Sequence, residues 1–443
     1  MSSSNNCHYN QDAQRSCFLS FGNNEFGQLA TGDSMIRKLD QMARVSLPSG
    51  FSLECIRTGY FHTIVVGRDS KSDSQYCILS SGSNNSGQLA QSINTMQSFD
   101  LKVIRDFKCL GSIKAIECGS NFTMALSKDN KLSAWGDNCN GQSGLKNWIE
   151  VTIPNPVPLK LLKQDDGNDE VIAKVVCGFD HTALICESGN VYCTGKNNFD
   201  ELGVERAQHH NNNINIFRRM KGMEKFIQPS EKITQWAFGE DHSLIVVSDE
   251  KGDRLFAIGS NRNGMAGAGK DVVILNEFKQ IDIPSTSRIA KVVCGEKHSA
   301  VLTVDGELFM TGKNSELQLG LPTINTYYKF TQVYIHDTFI GDVFLGDNYT
   351  IAISKKNRNV MFGTGRGFRN SGNVISSLNK LSTFERIDFS KHQDLHINSV
   401  ACGGMHTIFY RDDKLFDGST ADNFKSSLKS SNCKPLSDIS FIF

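Results

Sequence analysis

Five of the eleven histidines share one setting: His62, His181, His242, His298 and His406 each stand three residues after a glycine and directly before Thr or Ser. An imidazole beside a hydroxyl can serve as a general base next to a nucleophile, and its ring nitrogens can ligate a metal. The pattern occurs seven times, however, with Phe122 and Tyr349 in the ring position of the other two copies. Present once per repeat, the histidines read as structural residues that satisfy buried main-chain groups.

The other candidates dissolve in the same way. Gly363-Thr364-Gly365-Arg366-Gly367 resembles a dinucleotide loop, but no βαβ pattern follows it. Thr194-Gly195-Lys196-Asn197 and Thr311-Gly312-Lys313-Asn314 echo a phosphate loop without the Ser or Thr that must follow lysine. Cys118, Cys177, Cys294 and Cys402 each precede a repeat glycine, at a site filled elsewhere by Thr58, Phe238 and Leu345, so they read as buried small or apolar positions. Lying in four different repeats, they do not predict a zinc site. His209-His210, in an Asn-rich run, read as solvated. The sequence predicts no metal, no organic cofactor and no covalent catalysis.

These positions are held by two alternating anchors. The first is Gly-x-x-(His or aromatic)-(Thr or Ser), with its glycine at Gly59, Gly119, Gly178, Gly239, Gly295, Gly346 and Gly403, spaced 51 to 61 residues apart. The second begins at Gly22, Gly82, Gly136, Gly195, Gly259, Gly312 and Gly363, usually with Asn two residues on and often Gly and Leu five and seven on. The segments between, such as Thr123–Leu126 and Lys131–Trp135, are short and β-compatible and are parted by polar turns such as Lys128-Asp129-Asn130. Gaps between the anchors lengthen where Asp69–Gln75 and Asp249–Asp253 lie, as insertions in turns should.

A single small sheet cannot bury both faces, and radial packing around a channel resolves this. The chain opens on a second anchor and closes on a first, so Ser16–Phe21 is expected to add a strand to the blade holding Thr407–Tyr410. The predicted fold is all-β, a propeller of seven four-stranded blades over 16–418, with a flexible start (1–15) and a Ser-rich tail (419–443).

Charge and composition narrow the function. Forty-seven basic residues balance 47 acidic ones, and the nearest basic cluster, Arg218, Arg219 and Lys221, reads as a solvated loop, so no direct nucleic-acid contact is predicted. The N-terminal sequence lacks a basic stretch followed by an apolar one, and no apolar run approaches the ~20 residues of a membrane span. Thirteen cysteines, an odd number spread along the length, read as reduced thiols. The expectation is a monomer of the cytoplasm or nucleus, away from membranes.

The alternating Gly-x-x-His-Thr and Gly-x-Asn-x-x-Gly-Gln-Leu signatures resemble the repeats of the regulator of chromosome condensation family, over about residues 16–418. The resemblance implies a seven-bladed propeller. It also implies either guanine-nucleotide exchange on a Ran-type small GTPase or a non-catalytic scaffold role. For the exchange factors it points to the third-anchor acid and fifth-anchor histidine, here Asp180 and His298, and to an acid in the first Gly-Asn anchor, Glu25. Asp241 joins them from its Gly-Glu-Asp-His context. Two departures stand out: the basic N-terminal arm of the Ran exchange factor is absent, and its β-wedge is replaced by DNCNGQSGLKNWIEV. The family's plant ultraviolet-B receptor uses a tryptophan-rich face, whereas this chain has only Trp135, Trp148 and Trp236.

Overall fold

A computed structural model of the protein describes residues 17–412, apart from 71–75, 93, 105–111, 161, 206–211, 229, 336–337, 369–373 and 376–381. The two terminal segments expected outside the ring therefore lie outside the described residues. Seven antiparallel sheets follow one another along the chain. The innermost strands, Phe51–Thr58, Ile113–Cys118, Ile172–Cys177, Lys232–Phe238, Ile289–Cys294, Ile340–Leu345 and Ser399–Cys402, each touch their neighbours on both sides, and the last touches the first. The blades are numbered here in that order.

Closure follows the expected scheme. Cys17–Asn23 lies between Lys38–Ser46 and His406–Tyr410, so blade 7 takes two strands from each end of the chain. The ring is thereby sealed by main-chain hydrogen bonds, with Gly22 opposite His406.

Alternation along the strands explains why the blades stack. In His242–Ser248, Leu244 and Val246 enter a core shared with blade 5, while Ile245 and Val247 enter one shared with blade 3. Seven such apolar clusters occur, each built from two adjacent blades. No blade has a core of its own.

Three expectations need correction. Blade 6 has five strands, because Val374–Ile375 pairs with Glu385–Ile387 at its edge. Its second anchor is Gly365, not Gly363: Gly365 faces Tyr349 as Gly82 faces His62, and its φ of +91° matches the +101° to +116° of the other six. Two extra residues in the hairpin between Ile353 and Met361 displace the motif, and the second glycine of Gly-Thr-Gly restores an apparent match two residues early. Arg218 and Arg219 are not in a loop. They end the outer strand Ile214–Arg219 of blade 3, where Arg219 pairs with Asp165.

Candidate functional site

In a four-stranded meander the turns after strands one and three lie at the same end of the blade, and the turn after strand two at the other. The first anchors occupy the first of these turns and the second anchors the third, so all anchors share one face of the ring.

The second anchors fix the broad loops of that face. Asn24 Oδ1 accepts the amide of Leu29 at 2.9 Å while its Nδ2 donates to Ile36 O at 2.7 Å, clamping both sides of the loop. Asn84, Asn138, Asn261 and Asn314 repeat this geometry. The clamp sets out an apolar side chain just ahead of the outer strand in five blades. Met35, Met96, Ile149, Val273 and Ile324 are 55% to 85% exposed, and Met96, Ile149 and Val273 share one register position, two residues before the partner of the anchor glycine.

The first anchors lock blade to blade. Thr63 Oγ1 donates to Gln28 O of blade 7 at 2.7 Å, so its lone pair is what the His406 ring meets at 3.2 Å. The hydroxyl has spent its proton, which makes the imidazole the donor and fixes the neutral Nε2–H form. His242 and Ser299 (2.7 Å) and His298 and Thr350 (3.2 Å) repeat the arrangement, their hydroxyls donating to Met265 O and Gln318 O. His62 meets Thr123 at 3.1 Å. All five anchor histidines are fully buried, and burial lowers each to a pKa of about 3. The glycine is required by contact: a Cβ on Gly59 would come within 2.6 Å of Gly119 O in the next blade, and one on Gly295 within 2.6 Å of Gly346 O. On Gly178 it would meet the His181 ring and Phe238.

His181 is the exception. Phe238 stands edge-on to its ring at 4.4 Å, and neither ring nitrogen has a hydrogen-bond partner among the described residues. Phe122 fills the same position in blade 2 without polar atoms. His181→Phe is therefore expected to raise stability by about 1 kcal/mol, seen as a higher urea midpoint at unchanged m-value. A fall in the midpoint would mean that the imidazole is satisfied after all.

The sequence-derived contact residues separate. Glu25 is exposed on the blade 7 loop, beside Phe26 and Arg37. Asp180 is half-buried and accepts Ser120 Oγ at 2.9 Å, and burial raises its pKa. Asp241 pairs with Lys196 at 2.7 Å. His298 differs from these three in being enclosed between blades 5 and 6, with no side-chain surface to offer a partner. It belongs with the locks.

The two variable positions of each first anchor surround the channel mouth. Main-chain bonds run between them from blade to blade: Tyr60 N to Ser120 O (2.7 Å), Ser120 N to Phe179 O (2.9 Å), Glu240 N to Glu296 O (3.3 Å) and Asp347 N to Gly404 O (3.1 Å). Beneath lies a cavity of about 160 Å³. Cys118, Cys177, Cys294 and Cys402 ring it, and burial pushes the first and last two up to about 12. Sequence reasoning missed Tyr60, Glu240, Glu296, Lys297 and Asp347. It followed what repeats, and these lie where the repeat varies.

Among the described residues only Asp137, Cys139 and Glu150 converge as metal ligands might. Asp137 accepts the amide of Cys139 at 2.8 Å, just as Asn23 accepts that of Glu25 at 3.0 Å, so the approach belongs to the second-anchor turn. His209 and His210 lie outside the described residues.

The geometry defines a rigid closed ring that presents loops from every blade on one face. The RCC1-like domain model matches residues 17–409, and the chain belongs to that family. It is 27% identical over 354 residues to the ultraviolet-B receptor UVR8 of Arabidopsis thaliana (79% of this chain, 72% of that protein). It is 22% identical over 338 residues to the guanine nucleotide exchange factor SRM1 of Saccharomyces cerevisiae (71% and 66%). Against the X-linked retinitis pigmentosa GTPase regulators it spans only 13% to 33% of the relative's length. The structure of Prp20p from Saccharomyces cerevisiae, described with its binding to Gsp1p and histones, superposes with a TM-score of 0.70 at 18% identity, covering 96% of this chain and all of that one. Trp135 and Trp236 are fully buried in blades 2 and 4.

Proposed function

We propose that the anchor face binds a small GTPase of the Ran type and promotes nucleotide release from it. The observation that carries this reading is the coincidence on one face of five exposed apolar side chains, each just ahead of an outer strand, with loop carboxylates of several blades. An apolar set with a charged centre suits a protein partner better than a small substrate. The mechanism needs no covalent step: a face that favours the nucleotide-free GTPase weakens nucleotide binding to the same extent that nucleotide weakens the complex. Glu25, Asp180 and Asp241 are the carboxylates offered to the partner.

A scaffold that binds without exchange is the second reading. The loop from Gly136 to Val151, which holds no inserted strand, favours it. The two are separated by following release of a labelled guanine nucleotide from Ran of the same organism. Exchange predicts acceleration at a molar ratio well below one, because the factor is regenerated. A complex that forms without acceleration favours the scaffold.

A further inference from the structure

The three carboxylates Glu240, Glu296 and Asp347 come from consecutive blades and meet at the channel mouth. Lys297 answers two of them, at 3.3 Å from Glu240 and 2.6 Å from Glu296. Asp347 is left differently. Its side chain is only 4% exposed, it lines the cavity, and its Oδ1 has no hydrogen-bond partner among the described residues. A buried carboxylate oxygen without a donor costs free energy in the empty protein, and that cost is relieved by any cation that reaches it.

Two aromatic rings of the same cavity supply the other half of a cation site. Tyr60 and Phe179 stand edge to face with ring centroids 5.8 Å apart, both lining the same cavity. Aromatic rings facing carboxylates attract ammonium and guanidinium groups through the ring quadrupole as well as through charge. The volume is suitable: about 160 Å³ admits the end of a lysine or arginine side chain.

We propose that the channel mouth is a socket for one cationic side chain, lysine or arginine, carried by the protein partner of the anchor face, with Asp347 as its principal counter-ion and Tyr60 and Phe179 as its walls. The carboxylates then fix where the partner sits over the axis, and the exposed apolar side chains seal the rim. The socket couples to pH. Burial first, and then the neighbouring charges of Glu296 and Glu240, raise Asp347 to a pKa of about 7, opposed by the Tyr60 hydroxyl and by Lys297. A bound cation favours the ionised form, so its affinity increases as pH rises through 7.

The probes are Nα-acetyl-arginine amide and Nα-acetyl-lysine amide, titrated calorimetrically into the full chain, with Nα-acetyl-norleucine amide and calcium chloride at matched ionic strength as comparisons. Saturable binding of at least one cationic probe is expected at pH 8, about tenfold weaker at pH 6, where the carboxyl is mostly protonated. Asp347→Asn and Glu296→Gln are both expected to weaken it, the first by about tenfold or more. Asp282→Asn, an exposed carboxylate beyond the outer strand of blade 4, leaves it unchanged. Equal binding of the norleucine probe, binding of calcium alone, or full affinity in folded Asp347→Asn and Glu296→Gln proteins would overturn the proposal. The inference rests on the anchor face as the binding face, not on exchange. Probe binding without nucleotide release retains the socket and removes the exchange reading, and release without probe binding does the reverse.

Discussion

Lowering the pH from 6.5 to 5 is expected to remove up to about 5 kcal/mol of folding stability, a large fraction of the total for an ordinary domain. The five anchor histidines are fully buried and neutral, each with a pKa lowered to about 3 by burial, against about 6.5 in an unfolded chain. A depressed folded pKa means that nothing is lost above 6.5, where neither state binds the proton. Below it the unfolded chain takes up protons that the ring refuses, and stability falls until the pH reaches about 3. Buried carboxyls act in the opposite sense, among them Glu117, Asp180 and Glu240, which burial raises. Burial raises Glu201 and Asp347 to about 7, so the folded state holds their protons more tightly between pH 7 and 4. At most about three protons of net uptake on unfolding remain, an upper limit of roughly 4 kcal/mol per pH unit. Urea midpoints measured at half-unit intervals check the slope, and His181→Phe should reduce it by about one proton. A midpoint flat from pH 7 to 5 would show that the imidazoles titrate normally and are not sealed between blades.

The repeat made the ring legible, because each anchor position has a fixed main-chain task and so tolerates few residue types. Gly59 and Gly295 pack so near the next blade's carbonyl that a Cβ would clash with it, and the hydroxyls of Thr63 and Ser299 each bridge two blades. Such constraints recur in every blade and can be counted in a sequence. Register within one blade is less secure: Gly363 satisfied the pattern although Gly365 has the pairing and the left-handed φ, since a shift of two keeps every side chain on its own face. The channel mouth was illegible for the converse reason. Tyr60, Phe179, Glu296 and Asp347 share a position but not a residue type, and only the closure of the ring brings them to one cavity. The one signal available was the run of acids at that position in blades 4 to 6, visible when the repeats are compared for what they do not share.

His298→Ala should cost about 3 kcal/mol of stability, and any loss of partner function should follow from that alone. The ring is fully buried, its Nε2 donates to Thr350 Oγ1 at 3.2 Å across the blade 5 to blade 6 boundary, and Gly295 and Gly312 pack against it. Truncation removes one inter-blade hydrogen bond, worth about 1 kcal/mol, and leaves a ring-sized hole between two cores that can collapse only partly. Thr350 keeps its own bond to Gln318 O at 2.7 Å, which limits the damage to the contact and the cavity. Asp180→Ala offers the contrast. Its carboxylate is half-buried on the anchor face and accepts one hydroxyl, from Ser120, so its removal should change stability by less than about 1 kcal/mol. If the anchor face binds the GTPase, Asp180→Ala slows nucleotide release at full thermal stability, whereas His298→Ala slows it only at temperatures where the ring has begun to open. A His298→Ala protein that melts with the wild type yet has lost exchange would reverse this assignment and make the imidazole a partner contact.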